Sequence, residues 1–298
     1  MTLALETRGL TKDYGSGRGL FGLDLRVHAG EVYGFLGPNG AGKTTTLRLL
    51  LDLIRPTRGD ARVLGLDPRH DGRALRRRVG YLPGEPALYP ALTGRDLLDR
   101  IARLRGGVDE RLRDDLAERF RAELDVPVQE LSSGNRQKVA LLVAFQHDPE
   151  MLILDEPTAG LDPLMQQEFL DLVGETRRRG RTVLLSSHVL SEVEKVCDRV
   201  GILRNGRLLV EASLEELRRH EDHRLVFSFA TDFDVRSVLD VPGVVGAERK
   251  GRALRVTVHG RLDPLLAWAA RHPIMDVETD RRGLEEVFME HYRRQGRA

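Results

Sequence analysis

The sequence predicts an α/β protein: a doubly wound, mostly parallel sheet interrupted by a helical insert and followed by a small α+β domain. Three observations carry this. Short apolar runs such as Met151-Leu-Ile-Leu154 and Thr182-Val-Leu-Leu-Ser186 read as strands buried on both faces. They alternate with helix-forming segments, and strand–helix–strand order argues for a parallel sheet wound in both directions. From about Pro83 to Gln129 the pattern changes to helices separated by breakers, and from about His223 onward short strand and helix candidates mix.

Composition bounds the class. With 298 residues, 41% apolar and 31% charged, the chain has the makings of one large or two smaller globular domains with a full core. No stretch approaches the roughly 18 consecutive apolar residues of a membrane-spanning helix. The N-terminus has no basic region followed by an apolar one, so no secretory signal is expected. The single cysteine, Cys197, excludes an intrachain disulfide framework and an all-cysteine metal site. A net charge of +1 implies no strong non-specific attraction to nucleic acid. Only five of the 47 basic residues are lysines (Lys12, Lys43, Lys138, Lys195 and Lys250), so a lysine at position 43 suits a site needing a compact ammonium beside phosphates. The runs Arg76–Arg78 and Arg177–Arg179 read as solvated helix faces.

Residues 2–11 read as the first strand, closed by a turn at Asp13-Tyr14-Gly15. Tyr14 has two readings from local sequence: an aromatic ring stacked on an adenine, or a turn tyrosine half-packed on the core. Next comes the buried strand Glu31–Leu36, then Gly37-Pro-Asn-Gly-Ala-Gly-Lys-Thr44, then a helix over Thr45–Asp52. This is the P-loop pattern G-x-x-x-x-G-K-[ST] in the strand–loop–helix context it requires. Gly37, Gly40 and Gly42 let the backbone turn its N–H groups inward, and the helix N-terminus adds partial positive charge. Pro38, Asn39, Ala41 and Thr45 complete the same cradle. Lys43 would reach the β- and γ-phosphates, and the Thr44 hydroxyl would ligate Mg²⁺. The expected ligand is a nucleoside triphosphate.

A turn over Arg55–Gly59, a strand over Asp60–Gly65, a helix over Gly72–Arg78 and a strand over Val79–Leu82 follow. Thr93-Gly-Arg-Asp96 is a capping box with aspartate where glutamate is preferred, and Leu97, Leu98, Ile101 and Leu104 continue at helical spacing. A charged helix spans Asp109–Leu124, Pro127 breaks the chain, and Leu131-Ser-Ser-Gly134 opens a third helix, Asn135 to about His147. The strand Met151–Leu154 ends in Asp155-Glu156-Pro157. An aspartate at a strand end opposite a P-loop can hold the Mg²⁺ shell, through water or through Thr44, and the adjacent glutamate can orient or deprotonate the attacking water. Adjacent carboxylates at a strand end also serve as caps or salt bridges, but the P-loop upstream favours catalysis. Asp162-Pro163 opens a helix that Gly180 stops, and the strand Thr182–Ser186 runs into Ser187-His188. Arg199–Ala212 is a hairpin about an Asn205-Gly206 type I′ turn, and Ser213-x-x-Glu216 caps a last helix. Beyond it, strands are expected at Leu225–Phe229, Val245–Arg249, Leu254–Val258 and Met275–Glu278. Helices are expected at Asp234–Leu239, Asp263–Arg271 and Leu284–Tyr292. The order suggests βαββαβ with a terminal helix, a regulatory or assembly element without a catalytic cluster.

Leu131-Ser-Ser-Gly-Asn-Arg-Gln-Lys138 resembles the signature sequence of ATP-binding cassette (ABC) ATPases. Leu154-Asp-Glu-Pro-Thr-Ala-Gly-Leu-Asp162 resembles their strand-end carboxylates and following D-loop, Ser187-His188 their switch histidine, and Tyr14 their adenine-stacking aromatic. The resemblance covers roughly residues 3–220. The whole layout is most similar to ATP-binding subunits of bacterial ABC-2-type exporters, the drug-resistance class among them. It implies a P-loop NTPase cassette: a RecA-like parallel core with antiparallel N-terminal strands and a helical insert. The ATP-binding domain would span 1–220, its helical subdomain about 84–148, and a small α+β accessory domain 221–298. The implied cofactors are ATP and Mg²⁺. Two subunits, a second copy or a homologous ATPase, would close face to face over two ATP molecules. Ser132, Ser133, Gly134 and Asn135 of one would clamp the γ-phosphate held by the other, and Asp162 would cross the seam. His188 would contact the γ-phosphate beside the catalytic Glu156. The other implied partner is a separate transmembrane permease, with no nucleic acid and no covalent membrane anchor, on the cytoplasmic face of the membrane. The competing reading is a soluble ABC ATPase of translation or DNA maintenance, against which stand the single P-loop, the short insert and the absence of heptads. A P-loop kinase would need neither signature helix nor switch histidine.

This sequence departs from the family pattern in two places. Ser133 and Asn135 stand where glycine and glutamine are usual, replacements expected to be tolerated. Gly84, followed by Glu85, stands where the family has the glutamine that senses Mg²⁺ and couples to the membrane subunit. The expectation is that coupling survives, through Glu85 or backbone movement, with hydrolysis altered.

Overall fold

The computed structural model describes residues 2–215 and 223–280. The chain divides into two compact units, Met1–Leu214 and Glu215–Ala298.

The first unit is built on strands buried on both faces. β3 (Val32–Leu36), β6 (Met151–Asp155) and β7 (Thr182–Ser187) are buried at every residue. They run parallel with β5 (Val79–Leu82) and β8 (Arg199–Arg204), and β9 (Arg207–Ser213) closes the edge antiparallel to β8. The order is β5-β6-β7-β3-β8-β9. A second sheet of β1 (Leu3–Asp13), β2 (Gly19–His28) and β4 (Arg58–Val63) is wholly antiparallel, in the order β2-β1-β4. Tyr33, Phe35, Ile153 and Leu184 on one face of the parallel sheet share a core with Leu23, Leu25 and Val63 of the antiparallel one. Leu47 and Leu50 of α1 (Lys43–Leu50) lie between them. Sandwiching α1 in this way fixes its N-terminus at the end of β3, where the site lies.

Helix boundaries follow their caps. α2 (Pro68–Arg78) opens with a turn in which Asp67 accepts the Arg69 N–H at 2.9 Å and Pro68 stands first, and the predicted helix from Gly72 follows across non-helical dihedrals at Asp71. In α3 (Gly94–Arg105), Thr93 and Asp96 make both halves of the capping box, so aspartate suffices there. α4 (Glu110–Arg119) stops short of the predicted Leu124, since Arg121 takes φ +48° and turns the chain. α5 (Ser133–Phe145), α6 (Pro163–Arg178) and α7 (Leu190–Val196) complete the unit.

In the second unit β10 (His223–Phe229), α8 (Arg236–Leu239), β11 (Val244–Lys250), β12 (Ala253–Val258), α9 (Asp263–Ala269) and β13 (Ile274–Asp280) follow the predicted βαββαβ order. The sheet is antiparallel throughout, ordered β11-β12-β10-β13. Phe227, Phe229, Val256, Leu265 and Trp268 form its core. The helices predicted after Ser213 and over Leu284–Tyr292 lie outside the described residues, apart from the first residues of the former. Among the described residues no helix is long and apolar enough to cross a membrane.

Candidate functional site

The P-loop is shaped by what its glycines allow. Gly40 (φ +78°) and Gly42 (φ +109°) occupy the left-handed region that other residues avoid. At Gly37 a Cβ would stand 2.4 Å from the Leu203 carbonyl. Gly42 caps α1 without a side-chain hydrogen bond, so the first N–H groups of the helix are left for a ligand. They open on a cleft of about 460 Å³ lined by every residue from Pro38 to Thr45, together with Tyr14, Arg18, Glu156 and Asn205. The Tyr14 ring is 56% exposed, with Lys12 Nζ 5.4 Å from its centroid, so this tyrosine is not packed on the core.

Lys43 is 6% exposed, and its ammonium donates to the Gly37 carbonyl at 2.6 Å. Its remaining charge is met by Glu156 Oε1 at 3.1 Å. Glu156 follows β6 with φ +48°, a strained conformation for a side chain of its size, and its N–H donates to Ser186 O and Oγ. Its other oxygen, Oε2, accepts from His188 Nδ1 at 2.7 Å. Lysine, glutamate and histidine thus form one line across the ends of α1, β6 and β7, with the histidine exposed.

Beneath that line lies Asp155, 1% exposed. The Thr44 hydroxyl donates to its Oδ2 at 2.7 Å and the Ser186 hydroxyl to its Oδ1 at 2.5 Å. Parallel pairing of Asp155 with Ser186 across β6 and β7 makes the second contact possible. Thr44 and Asp155 offer two hard oxygens side by side, the donor set Mg²⁺ takes from a protein when phosphates and water supply the rest. No group of three or more His, Cys, Asp or Glu side chains suited to a metal occurs among the described residues. Gly84 abuts this carboxylate: a Cβ built on it would lie 3.3 Å from Asp155 Oδ2, and its φ is not in the left-handed region. Glu85 beside it is exposed.

The signature segment opens α5. Ser132 is the N-cap, accepting the Asn135 N–H at 3.1 Å. Asn135 itself is buried and accepts the Glu123 N–H, so its side chain braces the preceding loop. Gln137 donates to the Pro157 carbonyl at 3.0 Å, and a Cβ on Gly134 would stand 3.0 Å from the Gly160 carbonyl. The helix start is therefore packed on the chain that follows Glu156. Even so, none of Ser132, Ser133, Gly134 and Asn135 lines the P-loop cleft. Asp162 is exposed and caps α6, accepting the Met165 N–H at 2.9 Å, with Leu164 exposed two residues on.

Sequence reasoning missed Ser186, Arg18 and Asn205. Asn205 was legible only as a turn residue, and the role of Ser186 depends on strand register.

A family profile described as ABC transporter matches residues 20–159. The chain is 38% identical over 233 residues to the bacitracin transport ATP-binding protein BcrA of Bacillus licheniformis, covering 77% of this chain and 76% of that protein. It is 35% identical over 295 residues to the daunorubicin/doxorubicin resistance ATP-binding protein DrrA of Streptomyces peucetius, covering 97% and 86%. A solved ATP-binding subunit of an ABC transporter superposes with a TM-score of 0.67 at 33% identity, over 72% of this chain and 92% of that one. The chain belongs to the ABC transporter family as an ATP-binding subunit, an ATPase that takes ATP with Mg²⁺.

Proposed function

We propose that this ATPase powers export through a separately encoded transmembrane permease, closing on a second ATPase subunit when ATP binds and opening after hydrolysis. The observation that carries the reading is that the chain owns two helix N-termini suited to phosphate, at Gly42 and Ser132, and only the first opens on the cleft. A second subunit, identical or homologous, would bring its Ser132, Ser133 and Gly134 to the γ-phosphate held here. Asp162 and the exposed Leu164 would lie along the seam.

An arriving triphosphate competes with Glu156 for the Lys43 ammonium, since a phosphate oxygen carries more charge than one carboxylate oxygen. Glu156 is then free to accept a proton from water, while His188 holds its other oxygen and reaches toward the γ-phosphate. Thr44 and Asp155 would hold Mg²⁺, which would supply charge neutralisation at the phosphates. Tyr14 offers a flat face to the adenine. Residues 1–220 form the ATP-binding domain in this reading, with a helical subdomain over about 84–148, and 221–298 an accessory domain.

Export as the direction of transport is supported by relatives named for bacitracin transport and for daunorubicin/doxorubicin resistance. Attachment to the cytoplasmic face of the membrane would run through the permease, and the near-neutral charge gives no reason to expect a nucleic-acid partner. Membranes from cells co-expressing the chain with a candidate multi-span permease test this. The chain should sediment with them, and should stay in the supernatant over membranes lacking that protein. Sedimentation that ignores the permease would contradict the reading.

A further inference from the structure

Besides the P-loop itself, Tyr14 and Glu156, two side chains line the cleft: Arg18, on an exposed loop, and Asn205, on the turn between β8 and β9. Asn205 is held there by its neighbour. The Gly206 N–H donates to the Ala41 carbonyl of the P-loop at 2.9 Å, and the Gly206 carbonyl accepts the Phe21 N–H at 2.7 Å. A Cβ on Gly206 would lie 2.2 Å from the Gly19 carbonyl, and one on Gly42 would lie 3.4 Å from that same carbonyl. The hairpin turn, the start of β2 and the start of α1 therefore touch backbone to backbone. This is more attachment than a solvent-facing turn needs.

The position along the cleft follows from its two ends. Lys43 and Glu156 mark the end where the terminal phosphate sits, and Tyr14 marks the base end. Gly206, next to Asn205, meets both Gly19, whose neighbour Arg18 accepts the Tyr14 N–H, and Ala41 and Gly42, which precede Lys43, so the turn stands against both ends of the cleft. The part of a nucleoside triphosphate that spans the interval between those ends is the α-phosphate and ribose. We infer that Asn205 is a nucleotide-positioning residue whose amide hydrogen-bonds the ribose, beside the α-phosphate, in addition to shaping the turn. The inference rests on the cleft being the ATP site.

The competing explanation is purely local: type I′ turns favour Asn-Gly, and Asn205 has φ +49°. The test exploits this, because Asn205→Gly keeps a left-handed turn while deleting the amide. Calorimetry on the full-length protein would compare ATP, ADP and tripolyphosphate. Asn205→Gly should weaken ATP and ADP by about fivefold alike, the worth of one neutral hydrogen bond. Tripolyphosphate binding should be unchanged. Asn205→Asp, which also tolerates the turn, should weaken ATP and ADP further by placing a carboxylate beside phosphate. Unchanged ATP and ADP affinity in Asn205→Gly would overturn the inference. So would an equal loss for tripolyphosphate, which would mean the P-loop itself had moved. Wild-type protein that binds no ATP would instead overturn the assignment of the cleft.

Discussion

Lys43 Nζ stands 3.1 Å from Glu156 Oε1 and 2.6 Å from the carbonyl oxygen of Gly37, so the lysine of the phosphate cradle is already bound to the carboxylate that would activate water. In the proposed cycle this one contact would join ligand binding to catalysis. While it holds, the glutamate is occupied; a triphosphate that takes the lysine sets it free.

Lys43→Ala removes the shared cation and leaves Glu156 facing the cleft uncompensated. ATP affinity should fall by at least about a hundredfold, since a charge-assisted bond of roughly 1.5–3 kcal/mol is lost and a bare carboxylate is placed near the phosphates. Calorimetry showing undiminished ATP binding would refute the role given to Lys43.

Ser186→Ala strips Asp155 of one of its two hydroxyl partners and Glu156 of a side-chain acceptor for its N–H. Asp155 is fully enclosed, so leaving its Oδ1 unpartnered should cost about 1–3 kcal/mol, visible in chemical denaturation. Hydrolysis should slow as the strained turn at Glu156 loosens. Wild-type stability together with wild-type turnover would contradict this.

Gly84→Gln should fold, because residue 84 has no left-handed φ to protect and its Cβ meets Asp155 at 3.3 Å, asking for a shift of only a few tenths of an ångström. The new amide would reach the oxygens that hold Mg²⁺, so turnover and its stimulation by the permease should change. A variant unchanged in both would show that position 84 is silent.

His147 links the helical insert to the core: Arg105 donates to its Nε2 and to the Arg76 carbonyl. Burial, reinforced by the Arg105 charge, lowers the imidazole from its usual 6.5 to about 4. Between those values the unfolded chain binds the proton and the folded one does not. The stabilisation is therefore complete above pH 6.5 and is lost as pH falls toward 4, by about 3 kcal/mol over the window. Glu150 and Glu175 are held below their ordinary 4.5 by hydrogen bonds from Arg78 and Arg119, so they act lower on the scale. His147→Gln keeps an acceptor for Arg105 but cannot titrate. Its denaturation midpoint should be flat from pH 6.5 to 5, where that of the wild type falls; equal slopes would contradict the assignment.

What sequence revealed here was whatever is contiguous. Gly37–Thr44, Asp155-Glu156 and Ser132–Asn135 each carry their chemistry within one short segment, and the buried strands β3, β6 and β7 are uninterrupted apolar runs. Thr44 and Asp155 apart, which the P-loop pattern paired, relations that depend on strand register or on backbone contact between segments were not legible. That Ser186 serves Asp155 depends on the register of β6 against β7, and that Asn205 reaches the cleft depends on Gly206 contacting Ala41 and Gly19. Asn135, beside the exposed cap of α5, turns inward to Glu123, which its place in a motif does not reveal. Local chemistry misled at α4, where Arg121 turns a chain that still looks helical, while at α2 the Asp67-Pro68 signal of the turn before Gly72 went unread. Both α7 and β2 escaped, the first for its brevity and the second because Gly19 and Gly22 interrupt its alternation.

The most direct test is the mass of Glu156→Gln with Mg²⁺ and ATP, measured by light scattering after gel filtration. The carboxylate proposed to accept the proton is gone while the cradle, the signature helix and the Asp155 site stay, so the account predicts a dimer that retains one ATP per chain and reverts to monomers when nucleotide is removed. A variant that binds ATP stoichiometrically yet stays monomeric at every protein concentration would contradict it.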